Sequence, residues 1–73
     1  MNFEKILTDN GWKLSKVCGG CSGRPQEWVN ANKQGTMVKI YPNTQQPYFY
    51  VFVNGHCTKA KYFNELEKTI TEL

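Results

Sequence analysis

The spacing of apolar and polar residues changes along this chain, and each change marks an element. Phe3, Ile6 and Leu7 recur at helical spacing, which predicts a short helix over Phe3 to Asp9 that Asn2 can cap. Asn10-Gly11 follows, and a glycine there offers the left-handed turn on which helices commonly stop. Trp12 to Val17 alternates apolar with polar residues, the pattern of a half-buried strand. A second strand is expected over Gln26 to Asn30 and a third over Thr36 to Tyr41, separated by the polar turn Ala31 to Gly35. Pro42 to Pro47, rich in Asn, Gln and Pro, is another turn. Tyr48 to Val53 is the strongest strand, because every residue in it is aromatic or β-branched. Asn54-Gly55 ends it. The last predicted element is a helix from Thr58 to Leu73, capped by Thr58, with Phe63, Leu66, Ile70 and Leu73 along one face.

This order predicts an α+β domain: a three- to four-stranded antiparallel meander flanked by an N-terminal and a C-terminal helix, both packed on one face. No repeat, linker or low-complexity tract interrupts it, so residues 1–73 read as a single domain. A domain of 73 residues buries only about 60% of the surface its unfolded chain exposes. A metal, a partner or a second copy of the chain is therefore a reasonable stabiliser, although 40% hydrophobic content with two Trp, four Tyr and four Phe can also suffice.

Net charge is +3, but its distribution is uneven. Lys13, Lys16, Arg24, Lys33, Lys39, Lys59 and Lys61 in the middle face Glu27 alone, while the ends carry Glu4, Asp9, Glu65, Glu67 and Glu72 against Lys5 and Lys68. A cationic middle attracts phosphate, and it equally serves solubility. The opening Met1 to Ile6 lacks the apolar run of a signal peptide, and no stretch approaches the ~18 apolar residues of a membrane span. The expectation is a soluble, cytoplasmic protein with no membrane partner, in which thiols stay reduced.

Alternation along the strands sorts the candidate binding residues. Phe49, Val51 and Val53 fall on one face with Val38 and Ile40, which places Lys39, Tyr41, Tyr48, Tyr50 and Phe52 together on the other. Aromatic rings interleaved with a cation are how sheets grip single-stranded nucleic acid: bases stack on the rings and phosphates meet the lysine. The competing expectation is that this second face is covered, by the loop Cys18 to Pro25, by Trp28, or by another copy of the chain.

The three cysteines raise separate chemistry. Cys18-Gly19-Gly20-Cys21 has the spacing of half a tetrahedral zinc site; of the adjacent His56 and Cys57 only one can ordinarily join the same ion, since neighbouring side chains point apart in extended backbone, and Cys57 is taken as the third ligand. A redox pair and ordinary thiols are the alternatives, and no helix opens immediately after Cys21 to depress a thiol pKa. The same glycine-rich segment reads as a mobile loop, and Gly19, Gly20, Gly23 and Arg24 can form an anion-binding nest, although no P-loop ending follows. A cysteine–histidine nucleophile pair would need Cys18 or Cys21 folded against His56, and no motif places them so. The expected protein is thus a small non-enzymatic binding module, either for nucleic acid or for another protein as an interaction or inhibitor module, with zinc as the one cofactor left open.

Two partial resemblances add to this. Ile6-Leu7-Thr8-Asp9-Asn10-Gly11-Trp12-Lys13-Leu14 resembles the opening of HicA-type toxins, small RNA-cleaving proteins with a helix, three strands and a helix. That family's catalytic histidine belongs to a Gly-Ser-His type sequence, where this chain reads Gly20-Cys21-Ser22-Gly23; no catalytic residue carries over. Val53-Asn54-Gly55 followed by Thr58-Lys59-Ala60-Lys61 is similar to the approach to the last helix of double-stranded RNA-binding domains, which implies phosphate contacts for Lys59 and Lys61.

Overall fold

The computed structural model describes residues 3–17 and 25–73. Helix α1 (Phe3–Asp9) is followed by strands β1 (Trp12–Val17), β2 (Gln26–Asn30), β3 (Thr36–Tyr41) and β4 (Tyr48–Val53), then by two short strands, β5 (His56–Cys57) and β6 (Lys61–Tyr62). A 3-10 turn (Phe63–Glu65) leads into helix α2 (Leu66–Glu72). All strand pairs are antiparallel; β1 to β5 lie in sequence order and β6 joins β4. The class is α+β with a helix at each end, as the hydrophobic pattern requires, and among the described residues the sheet has six strands where three or four were expected.

The extra strands come from the segment predicted as the start of the last helix. Asn54 and Gly55 both hold positive φ, 51° and 83°, the combination of a two-residue hairpin turn matched to strand twist. That turn sends the chain back along β4 instead of releasing it. Cys57 then pairs with Phe52, His56 with Val53, and Tyr62 with Tyr48. Between the two short strands Thr58 replaces a ladder residue: its N–H donates to the Val51 carbonyl at 2.9 Å, and its Oγ1 accepts from the Val51 N–H at 3.2 Å. Thr58 is therefore a strand partner and not a helix cap. The apolar stripe of the helix begins only at Phe63, so residues 58–62 had no helical burial to gain. Thr58→Val keeps the shape and leaves the buried Val51 N–H without its side-chain acceptor; a loss of about 1 kcal/mol in denaturant unfolding is expected.

One core forms on one side of the sheet. Leu7 from α1 and Leu66 and Ile70 from α2 join Trp12, Trp28, Val38, Ile40, Phe49 and Val51 in a single buried cluster. The register explains the membership: Trp28 faces Val38, Val38 faces Val51 and Ile40 faces Phe49 across the strands, and directly paired residues project to the same side. Phe3 packs against the edge of this cluster and meets Phe63 at 5.3 Å between ring centroids. The helix stop is as expected, with Gly11 at φ 84° and its N–H donating to the Thr8 carbonyl at 3.1 Å.

Asn30 is the one buried polar residue among those described. Its Nδ2 donates to the Asn10 carbonyl at 3.0 Å and its Oδ1 accepts from the Asn32 N–H at 2.9 Å. It thereby ties the α1–β1 corner to the β2–β3 turn. That turn is closed by Thr36 N–H donating to the Lys33 carbonyl at 3.1 Å.

Candidate functional site

Opposite the core, the sheet carries a second set of side chains fixed by the same register. One row across it runs Lys16, Glu27, Lys39, Tyr50; the next runs Lys13, Val29, Met37, Phe52, Cys57; a third runs Tyr41, Tyr48, Tyr62. An irregularity between Leu14 and Lys16 in β1 keeps both Lys13 and Lys16 on this side, since an inserted residue shifts the alternation by one. None of the residues in these rows is fully buried, and Tyr62 is 57% exposed.

The rings are ordered against one another. Tyr41 and Tyr48 stack at 4.8 Å with planes 12° apart. Tyr50 meets both edge-on, at 6.0 Å from Tyr41 and 5.7 Å from Tyr48. Phe52 continues the line at 6.5 Å from Tyr50. Lys39 Nζ lies over the Tyr41 ring, 5.8 Å from its centroid, a cation–π contact that leaves the ammonium hydrogens available. Glu27 stands between Lys16 and Lys39 in the row, yet no ion pair forms among Lys13, Lys16, Lys39 and Glu27. The result is an amphipathic surface of rings with three lysines and one carboxylate that form no ion pair with the described residues.

Lys39, Tyr41, Tyr48, Tyr50 and Phe52 are thus brought together as the strand alternation implies. Lys59 and Lys61 are not part of the group. Lys61 pairs with Phe49 and so shares the side of the core-facing residues, while Lys59 is exposed in the segment joining β5 to β6. Neither stands at the start of α2, the position that the double-stranded RNA-binding resemblance implied. Trp28 does not cover the ring surface: it is 4% exposed and lies in the core.

Residues on this side that sequence reasoning missed include Lys13, Lys16 and Tyr62. Lys13 alternates with Trp12 and Leu14 and was readable as one side of β1, whereas Lys16 shares their parity and reaches this side only through the irregularity. Tyr62 was not readable, since its side is set only by the β4–β6 pairing. Trp28 adds a polar tie on the core side, its Nε1 donating to Gln26 Oε1 at 3.2 Å.

Cys18 and Cys21, the proposed anion nest and the predicted mobile loop lie outside the described residues. Cys57 is exposed beside Phe52, and its thiol donates to the Thr58 carbonyl at 3.2 Å. His56, paired with Val53, projects to the other side. Among the described residues no group of three His, Cys, Asp or Glu side chains can hold a metal ion, and no helix is long and apolar enough to cross a membrane. This chain matches no protein-family model, no curated protein and no solved structure.

Proposed function

We propose that this protein is a small non-enzymatic module that binds single-stranded nucleic acid across the ring-bearing side of its sheet. The observation that carries the reading is the ordered line Tyr41, Tyr48, Tyr50, Phe52 with Lys39 over the Tyr41 ring and, alongside, Lys13 and Lys16 in no ion pair with the described residues. Rings offer π-faces and edges on which any base can stack, and unpaired ammonium groups meet the backbone phosphates. A single strand fits this better than a duplex, whose bases are already stacked and present only their edges. Strands spaced about 4.8 Å apart set the rings at intervals that successive splayed bases can follow.

Titration of labelled single-stranded and duplex RNA and DNA at low and moderate salt tests the reading. Tyr50→Ala should weaken single-strand binding by about 1–3 kcal/mol, roughly 5- to 150-fold. Lys39→Ala should weaken all sequences alike and reduce the salt slope by about 0.7, the value of one phosphate contact on a single strand. Circular dichroism would confirm that both variants fold. Absence of binding at low salt, or equal binding by Tyr50→Ala, overturns the reading and leaves the surface to a protein partner.

A further inference from the structure

Beyond the ring-bearing rows, the sheet ends in a notch of about 450 Å³ lined by Gln45, Gln46, Pro47, Tyr62, Phe63 and Asn64. Its volume falls within the range of about 300–1,000 Å³ usual for small-molecule sites, but it is shallow and open to solvent, so it can hold one edge and face of a ligand and not enclose it. Its two walls come from the β3–β4 turn and from the junction of β6 with the 3-10 turn. They are joined by the Phe63 N–H donating to the Pro47 carbonyl at 3.3 Å. Phe63 is backed by Phe3, so the apolar wall is anchored to α1.

Three features define what the notch accepts. It is continuous with the ring surface, because Tyr62 pairs directly with Tyr48, which stacks on Tyr41. Its lining contains no charged side chain, so it is not built for phosphate. The amides of Gln45, Gln46 and Asn64 make no side-chain hydrogen bond with the described residues, and each presents both a donor and an acceptor. A flat, neutral ligand with donors and acceptors along one edge satisfies all three conditions. An unpaired nucleobase is such a ligand.

We infer that this notch is a base-selective pocket: an unstacked base of a strand lying on the ring surface enters it, its plane against Tyr62 and its edge on the amides of Gln45, Gln46 and Asn64. The inference rests on the nucleic-acid reading and adds sequence preference to it. The ring surface alone discriminates little, since every base has a π-face, whereas a well-placed pair of hydrogen bonds to a base edge discriminates by about 5- to 150-fold.

Short labelled single strands made wholly of A, of C or of U provide the test, with wild type, Tyr50→Ala, and the triple variant Gln45→Ala/Gln46→Ala/Asn64→Ala. The three substituted positions are exposed, so the fold should survive, and circular dichroism checks that it does. Wild type should prefer one base by about tenfold. The triple variant should compress the three affinities to within about twofold of one another while keeping the affinity for the weakest strand. Discrimination that persists in the triple variant overturns the pocket, as does a wild type that binds all three strands alike. In either case a general loss in Tyr50→Ala would leave the ring-surface reading standing. Failure of every strand to bind wild type overturns both.

Discussion

Phe49→Ala should destabilise this protein by about 3–5 kcal/mol, enough to remove most of the margin of a domain of this size, whereas Phe52→Ala should leave it folded. The two residues lie on the same strand, three positions apart, and are of identical chemistry. Phe49 is 0% exposed and packs with Leu7, Leu66 and Ile70 from both helices. Its removal leaves a cavity that rigid neighbours on both sides cannot close. Phe52 stands on the opposite side, only partly buried beside Tyr50, and its loss gives up one ring contact worth about 0.5–1.5 kcal/mol. Urea unfolding followed by tryptophan fluorescence would separate them, since Trp12 and Trp28 both sit in the core. Equal losses for the two substitutions would contradict the one-sided core.

Asn30→Ala is the second change expected to act strongly, by about 2–3 kcal/mol, because it deletes both hydrogen bonds of a buried amide that ties two turns together. The Asn10 carbonyl and the Asn32 N–H both lose their side-chain partner. For a domain of 60–100 residues each 1 kcal/mol moves Tm by roughly 4–8 °C, so a fall of about 10–20 °C in a thermal scan is anticipated. Leucine at this position should be no better, since its volume is retained but neither hydrogen bond is. A Tm within a few degrees of wild type for both variants would show that water takes over these groups at little cost.

The candidate site divides along the same physical line. The grouping of Lys39, Tyr41, Tyr48, Tyr50 and Phe52 was legible because all five belong to two long strands with strict alternation, and the period of a strand assigns the side of each residue. Lys59 and Lys61 looked like members because their charge and sequence position suit a helix start. Tyr62 fell inside the helix expected from Thr58 to Leu73. What reassigned them was the Asn54-Gly55 turn, whose dipeptide was visible but whose partner strand is only two residues long. So short a strand has no period to read, and it exists because β4 offers an edge with unpaired backbone groups. Asn30 was equally opaque: a polar residue at the end of an alternating strand reads as solvent-facing until the α1–β1 corner is brought against it.

The amino-acid sequence by itself determined α1 and β1 to β4 with the ends observed, the stop at Gly11, Val38, Ile40, Phe49 and Val51 as the core side of β3 and β4, and the companion side on which the rings gather; Val53, expected in the core with them, lies at the end of β4 beyond the helices and is exposed. These are local matters of period, propensity and turn chemistry, each decided within about ten residues. Only the tertiary structure decided that residues 56–62 line the edge of β4, that Thr58 bonds to Val51, that Lys61 turns to the core side while Tyr62 extends the rings, and that Gln45, Gln46 and Asn64 converge. Each of these depends on a partner distant in sequence or on an unsatisfied backbone group elsewhere, and such demands leave no periodic trace in the segment that meets them.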